Sequence, residues 1–227
     1  MSAASAANVR IVVLTQEHRG QGVSTAIFYL AQALARQGVR ALVADLSLRR
    51  SPLGTLFQRF PMKNVALWAP GPVTPEQLGK ILERAREQVA GKVDCLLVDV
   101  DALPLVRARA SGMQVDYLVI AAGNTAEGRQ DAIKLAERVY SEDTVLRQAG
   151  VLFVRVPAQD ESQLEPQLEK GLAVLGSLPA DYLLATREDF LLKGDVPPQP
   201  HEEYLSAITR TAVTLIRLVP LRRGASR

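Results

Sequence analysis

Few residues of this chain can form cross-links or bind soft metals. Its 227 residues include one cysteine, Cys95, and two histidines. A disulfide within the chain is therefore impossible, and we expect no cysteine–histidine metal cluster. Cys95 lies inside an apolar run and is expected to be a buried, unreactive thiol. So little cysteine fits a reducing compartment, and we expect a cytoplasmic protein.

Long apolar runs and strong net charge are also lacking. No run approaches the ~20 apolar residues of a membrane-spanning helix. The first ten residues, MSAASAANVR, lack the apolar centre of a signal peptide. The net charge is +3, from 27 basic and 24 acidic residues, which is too small to indicate specific nucleic-acid binding. Apolar residues make up 48% of the chain, as in ordinary globular proteins.

Short apolar runs alternate with helical patterns along most of the chain. Five runs predict buried strands, at 9–15, 40–46, 94–100, 115–122 and 150–156. Apolar periodicity predicts helices at 24–37, from 75 to about 89, at 125–140 and from 202 onward. The proline- and glycine-rich stretch 61–75 predicts a loop. The alternation predicts an α/β fold with three layers, a mainly parallel twisted sheet flanked by helices. We expect one domain at 9–219, between flexible residues 1–8 and a basic tail at 220–227.

The segment EHRGQGVST, residues 17–25, has the composition and position of a phosphate-binding loop. It lies between a predicted strand and a predicted helix, so its backbone N–H groups and the helix dipole would face an anion. Its glycines would let the backbone wrap around phosphate oxygens, and a hydroxyl stands where Mg²⁺ would bind. The candidate cofactor-binding residues are Gly20, Gln21, Gly22, Val23, Ser24 and Thr25. The alternative is a structural turn in which Ser24 and Thr25 cap the helix.

Two aspartates extend this candidate site. Asp45 ends the second predicted strand and Asp99 ends the third. Ligands of open parallel sheets lie at the carboxyl ends of the strands, where a carboxylate can hold Mg²⁺ or position water. We therefore add Asp45 and Asp99 to the cofactor-binding residues, with Ser24 and Asp45 as magnesium ligands if a nucleotide is bound. The alternative is that both aspartates are simply polar ends of buried strands.

Five segments carry a resemblance to a known family. They are TQEHRGQGVSTAIFYLAQALARQG (15–38), DLSLRRSPLGTLF (45–57), VDCLLVDV (93–100), DYLVIAAGNTAEGRQDAIKLAERV (116–139) and VLGSLPADYLLATREDFLLKGDVP (174–197). Together they resemble the deviant-Walker P-loop ATPases, which include MinD, ParA, the pilus-localisation proteins CpaE and TadZ, and the bacterial tyrosine kinases. The second segment is most similar to the tyrosine kinases of polysaccharide export. The resemblance implies the P-loop ATPase fold over nearly the whole chain.

The same resemblance implies that catalytic groups are missing. The family lysine that contacts the β- and γ-phosphates falls at Val23, and its signature lysine falls at His18. The second acid of the DxD motif is Ser47, and the asparagine that reads adenine is Val154. Losing one catalytic electrostatic group commonly costs ~10²–10³-fold in rate. We therefore expect slow or no hydrolysis, with ATP or ADP and magnesium bound weakly or not at all. Arg19 could supply part of the lost charge, or could form a solvated loop pair with His18.

The implied function is that of a pseudo-ATPase or pseudo-kinase. We expect a cytoplasmic regulatory or scaffold component that docks on the cytoplasmic part of an inner-membrane complex for envelope polysaccharide synthesis and export. One alternative is a CpaE-, TadZ- or MinD-like positioning protein for pilus or other polar machinery. Another is an atypical but active ATPase or tyrosine kinase, although the chain lacks the kinases' tyrosine cluster and its last tyrosine is Tyr204. Relatives hold nucleotide between two subunits, so a homodimer is also expected.

The last predicted helix carries one apolar stripe. Its members recur at alternating three- and four-residue spacing: Leu205, Ile208, Ala212, Leu215 and Val219. The stripe predicts a helix docked on the domain. The alternative is peripheral contact with a membrane surface, or with a partner, through this helix and the basic residues after it.

Overall fold

Seven strands form one sheet in the computed structural model, which describes residues 9–18, 20, 22–47, 52–71, 73–140, 148–157, 165–181 and 200–220. The strands are β1 (Arg10–Gln16), β2 (Ala41–Asp45), β3 (Val65–Trp68), β4 (Cys95–Asp99), β5 (Tyr117–Gly123), β6 (Ala149–Val156) and β7 (Ala173–Pro179). Their order across the sheet is β3-β2-β4-β1-β5-β6-β7. Each neighbouring pair runs parallel. The predicted α/β fold with a parallel sheet is confirmed.

Helices cover both faces of this sheet. They are α1 (Val23–Arg36), α2 (Leu53–Arg59), α3 (Pro75–Gln88), α4 (Ala102–Ala110), α5 (Ala126–Val139) and α6 (Glu202–Leu218), with a short 3₁₀ turn at Glu169–Gly171. Side chains of α1, α2 and α6 pack in the core on one face, and those of α3, α4 and α5 pack on the other. The three layers therefore match the predicted architecture. The sequence pattern did not predict α2 or α4, which are short and whose apolar residues show little periodicity.

The central strands are buried on both faces. All five residues of β4 are buried, as are the inner five of β1. A parallel strand covered by helices on both sides needs apolar side chains at successive positions. This is why the five continuous apolar runs in the sequence predicted the five interior strands of the sheet.

The two edge strands differ from the prediction. Strand β3 lies inside the stretch 61–75 that was predicted to be a loop, and β7 was not predicted as a strand at all. The side chains of β3 are half-buried or exposed, and β7 contains Gly176 and ends at Pro179. An edge strand has a partner on only one side, so it tolerates proline, glycine and exposure that hide the strand pattern.

Helix α6 docks on the domain, which confirms one of the two predictions for it. Its stripe packs in the core cluster beneath α1: Ile208, Ala212, Leu215 and Val219 are buried and Leu205 is partly buried against them. The membrane-surface alternative is wrong for this stripe, because the side chains that would enter a lipid surface already pack inside the protein. Among the helices described, none combines the length and the apolar character that crossing a bilayer requires.

Some predictions fall on residues outside the described part of the chain. These are the flexible N-terminus (1–8), Arg19 and Gln21 in the loop, 48–51 in the kinase-like segment, 182–199 in the MinD-like segment, and most of the basic tail (221–227).

Candidate functional site

The loop between β1 and α1 has a backbone that requires glycine. Gly20 has φ of 79° and Gly22 has φ of 80°, in the left-handed region that other residues rarely adopt. A Cβ atom at either position would meet nothing within 4 Å. The glycines are therefore needed for the turn of the chain rather than for close packing, and the space beside them is open.

Residues 23–25 of α1 face different surroundings. The Val23 side chain is only 2% exposed and belongs to the core cluster under α1. Its side chain therefore cannot line a phosphate site, and only its backbone N–H could contribute to one. Thr25 is half-buried in the first helical turn. Gly22 occupies the N-cap position and provides no side chain, so the alternative that Ser24 or Thr25 caps α1 is wrong.

Ser24 is instead directed at Asp99. Its hydroxyl Oγ donates a hydrogen bond to Oδ2 of Asp99 over 2.7 Å. The partners are 75 residues apart, and they meet because β4 pairs with β1 so that Leu14 lies opposite Asp99. The loop hydroxyl and the acid at the end of β4 thus form one unit, as their positions in the sequence suggested.

The two predicted aspartates are neighbours in the sheet. Parallel pairing of β2 with β4 places Asp45 directly opposite Asp99. The Ser47 hydroxyl donates to Oδ1 of Asp45 over 2.9 Å, so the residue at the second DxD position turns back on the first acid. The structure therefore brings Ser24, Asp45 and Asp99 together at the carboxyl ends of adjacent strands.

Asp99 is the most strongly perturbed acid of this group. It is 5% exposed. Burial raises the pKa of Asp99 to about 7, since a carboxylate charge is poorly solvated there, and the nearby charges of Asp45 and Asp101 raise it further, while the hydrogen bond from Ser24 lowers it. A bound cation between the two aspartates would favour the ionised form of Asp99. Without one, Asp99 takes up a proton as the pH falls through about 7.

The donor set fits magnesium better than a transition metal. Ser24, Asp45 and Asp99 offer only oxygen atoms, which Mg²⁺ prefers. The loop adds the N–H groups at the start of α1, to which a phosphate could bind. Among the described loop residues, 16–18, 20 and 22–25, none is a lysine or an arginine, and Arg19 lies outside the described residues. The oxygen ligands and the loop N–H groups could together hold a magnesium–phosphate group.

Other predicted residues lie apart from this group. Val154 is a buried residue of β6, and Asp101 occupies the N-cap position of α4. Cys95 is fully buried and burial raises the pKa of its thiol to about 12, which confirms the prediction of an inert thiol. His18 turns away toward α5, where Nε2 lies 2.8 Å from Oδ2 of Asp131.

The attachment of the loop to α5 was not predicted. Besides the contact of His18, Oε1 of Glu17 accepts a hydrogen bond from Nη1 of Arg138 over 2.8 Å. These partners are 113 and 121 residues apart in the chain. No local pattern of the sequence signals contacts over such separations.

No family model matches this chain, and no curated protein matches it either. Solved structures do. A chain of the MinC:MinD cell division protein complex from Aquifex aeolicus has a TM-score of 0.70 at 19% identity, over 96% of this chain and 99% of that one. MinD from Pyrococcus horikoshii, complexed with Mg-ADP, has a TM-score of 0.66 at 16% identity, over 92% and 97% of the two chains.

The similarity extends to plasmid partition proteins. A putative plasmid partition protein from Borrelia burgdorferi, bound to AMPPNP, has a TM-score of 0.64 at 13% identity, over 92% of this chain and 99% of its own. At these identities the similarity is one of fold. The chain thus has the P-loop ATPase fold of MinD and the ParA-type partition proteins, which is the fold that its sequence motifs implied.

Proposed function

We propose that this protein is a P-loop ATPase-like scaffold or regulator that has lost efficient hydrolysis and acts by binding another protein. The observation that carries this proposal is the burial of Val23, whose side chain packs in the core at the position where the family's phosphate lysine falls. A rate loss of ~10²–10³-fold is usual for one missing electrostatic group. Ser47 and Val154 stand at two further positions where the family has functional residues.

Nucleotide binding, if retained, would use few groups. The N–H groups of residues 22–25 would contact phosphate, and Ser24 with Asp45 would hold magnesium, which would neutralise phosphate charge when bound. Ser24 could contact the metal through an oxygen lone pair while its hydroxyl still donates to Asp99, but the residue after Gly22 is Val23 rather than a lysine that could balance the phosphate charge. We therefore propose that ATP or ADP binds weakly or not at all.

Titration calorimetry and an ATPase assay test this proposal. We expect little heat with Mg-ATP or Mg-ADP, and a turnover that does not differ between the natural protein and the Asp45→Ala variant. Glu87→Ala, which changes an exposed acid on α3, is the matched control. Magnesium-dependent turnover that Asp45→Ala abolishes and Glu87→Ala leaves unchanged would show an active enzyme and refute the proposal.

The partner proposed from the 45–57 segment is the cytoplasmic part of an inner-membrane complex for polysaccharide synthesis and export. The protein would then act in the cytoplasm, at the membrane through that partner. A MinD-like positioning role is the second candidate, and the fold similarity to MinD favours it. A deletion strain separates the two: loss of surface polysaccharide supports the first, and misplaced division septa or pili support the second.

Complementation of that strain tests whether nucleotide chemistry matters. We expect the Asp45→Ala variant to restore the lost trait as well as the natural protein does, because a scaffold acts through its surface. A variant that folds but fails to restore it would contradict the scaffold role. We also propose a homodimer, which light scattering with and without Mg-ATP would reveal. A monomer under both conditions would contradict it.

A further inference from the structure

Three potential metal ligands converge where the loop meets α5. His18 lies in the loop, and Glu127 and Asp131 lie on α5. One ligand atom from each residue lies within 4.8 Å of the other two. Glu127 and Asp131 are four residues apart, so they lie on one side of the helix. The sequence offered too few cysteines and histidines for a metal cluster, but the fold adds two carboxylates to one imidazole.

The elements that carry these ligands are held in place. The Thr125 hydroxyl caps α5 by accepting the backbone N–H of Gly128 over 3.0 Å. Gly128 packs so closely against β5 that an added Cβ would lie 2.3 Å from the carbonyl oxygen of Gly123. On the loop side, the ion pair of Glu17 with Arg138 ties the residue before His18 to the same helix. The ligands therefore belong to a supported arrangement.

The charges around His18 favour a cation. The carboxylates of Asp131, Glu17 and Glu127 all lie near enough to act electrostatically on His18. Nε2 of His18 and Oδ2 of Asp131 already lie 2.8 Å apart, and a metal ion could take the place of the hydrogen bond between them. The His18 side chain is 61% exposed, so solvent can complete the coordination of an ion.

We propose that His18, Glu127 and Asp131 form a binding site for a divalent transition-metal ion such as Zn²⁺. One imidazole nitrogen and carboxylate oxygens are ligands that zinc accepts, whereas magnesium prefers oxygen alone. Three protein ligands leave a position for water or for a further ligand. A bound ion would fasten the start of the glycine loop to α5. The site is separate from Ser24, Asp45 and Asp99, and it does not depend on the proposed function.

Titration calorimetry of the full chain with zinc chloride tests the site. Excess magnesium is present, so that zinc does not bind at sites made of oxygen ligands alone. We expect one ion per chain at micromolar zinc. His18→Ala and Asp131→Asn should each weaken binding about tenfold or more, since even supporting residues of metal sites contribute 10–100-fold. The second histidine of the chain provides the matched control: His201 also contacts a carboxylate, Asp181, at 3.2 Å. His201→Ala should leave the affinity unchanged.

A second control tests the carboxylates. Glu137→Gln alters another acid of α5, one that pairs with Lys170, and should have no effect on zinc binding. Circular dichroism would verify that each variant is folded. We expect His18→Ala to fold, because the His18 side chain is exposed and is not part of the core. The proposal is overturned if the natural protein binds no zinc at these concentrations. It is equally overturned if His18→Ala binds as tightly as the natural protein, or if His201→Ala loses as much affinity, because binding would then be adventitious.

Discussion

Replacing Asp99 by asparagine should stabilise the folded protein above neutral pH and have little effect in acid. Asparagine has nearly the same shape and can still accept the hydrogen bond from the Ser24 hydroxyl, which now reaches Oδ2 of Asp99 over 2.7 Å. It cannot ionise. The substitution therefore isolates the free energy of holding a charge at a site that is 5% exposed.

The size of the effect follows from the pKa of Asp99. Burial raises that pKa from 3.8 to about 7, and each unit of difference between the folded and unfolded chains is worth about 1.4 kcal/mol. The ionised form is thus disfavoured by up to about 4 kcal/mol in the folded protein.

How the stability difference changes with pH follows from whether the folded or the unfolded chain binds the proton of Asp99 more tightly. Below about pH 4 the carboxyl is protonated in the folded chain and largely protonated in the unfolded chain, so Asp99→Asn gains little. Between about pH 4 and 7 the unfolded chain releases its proton while the folded chain retains it, and the natural protein loses stability. Above about pH 7 the loss is complete, and the variant should be more stable by the full amount.

Urea denaturation followed by circular dichroism at several pH values, without nucleotide and with a metal chelator, measures this difference. Glu87→Gln, at an exposed acid on α3, is the control and should show no such trend. A stability difference between Asp99→Asn and the natural protein that is the same in acid and in base would refute the reasoning. A variant that is less stable above neutral pH would show that the Asp99 carboxylate stabilises the fold.

Three further predictions concern stability alone. Gly128→Ala should lower the free energy of unfolding, measured by urea denaturation, by about 1–3 kcal/mol or more, because the new Cβ would lie 2.3 Å from the carbonyl oxygen of Gly123. Gly54→Ala, in a helix with open space around it, should instead raise stability by about 0.5–1 kcal/mol. Arg40→Ala should destabilise by about 2 kcal/mol, because Asp94 is 4% exposed and accepts hydrogen bonds from Nε and Nη2 of Arg40. Equal midpoints for Arg40→Ala and the natural protein would contradict the last prediction.

The centre of the fold was predictable from sequence because burial on both faces leaves a local trace. Strands such as β4 are apolar at successive positions, and the helices between them repeat their apolar residues every three or four positions. The edge strands β3 and β7 leave no such trace, because each pairs with only one neighbouring strand and carries half-exposed residues. A stretch with prolines and glycines on either side of β3 therefore predicted a loop.

The candidate site was predictable in part. The order of a strand, a glycine pair, Ser24 and a helix identifies a loop by local chemistry, and Asp45 and Asp99 were recognisable as strand ends. Their position opposite each other depends on the register of β2 against β4. The burial of Val23 depends on how α1 packs on the sheet, which the identity of one residue cannot reveal.

By itself, the sequence determined the alternation of strands and helices, the glycine turn and the valine that follows it, since each depends on residues that are neighbours along the chain. Only the tertiary structure decided which distant side chains meet in hydrogen bonds and ion pairs. Ser24 meets Asp99, and His18 meets Asp131, across 75 and 113 residues. Such contacts arise because the parallel sheet brings distant strand ends to one edge, where burial and proximity set the charge that each group carries.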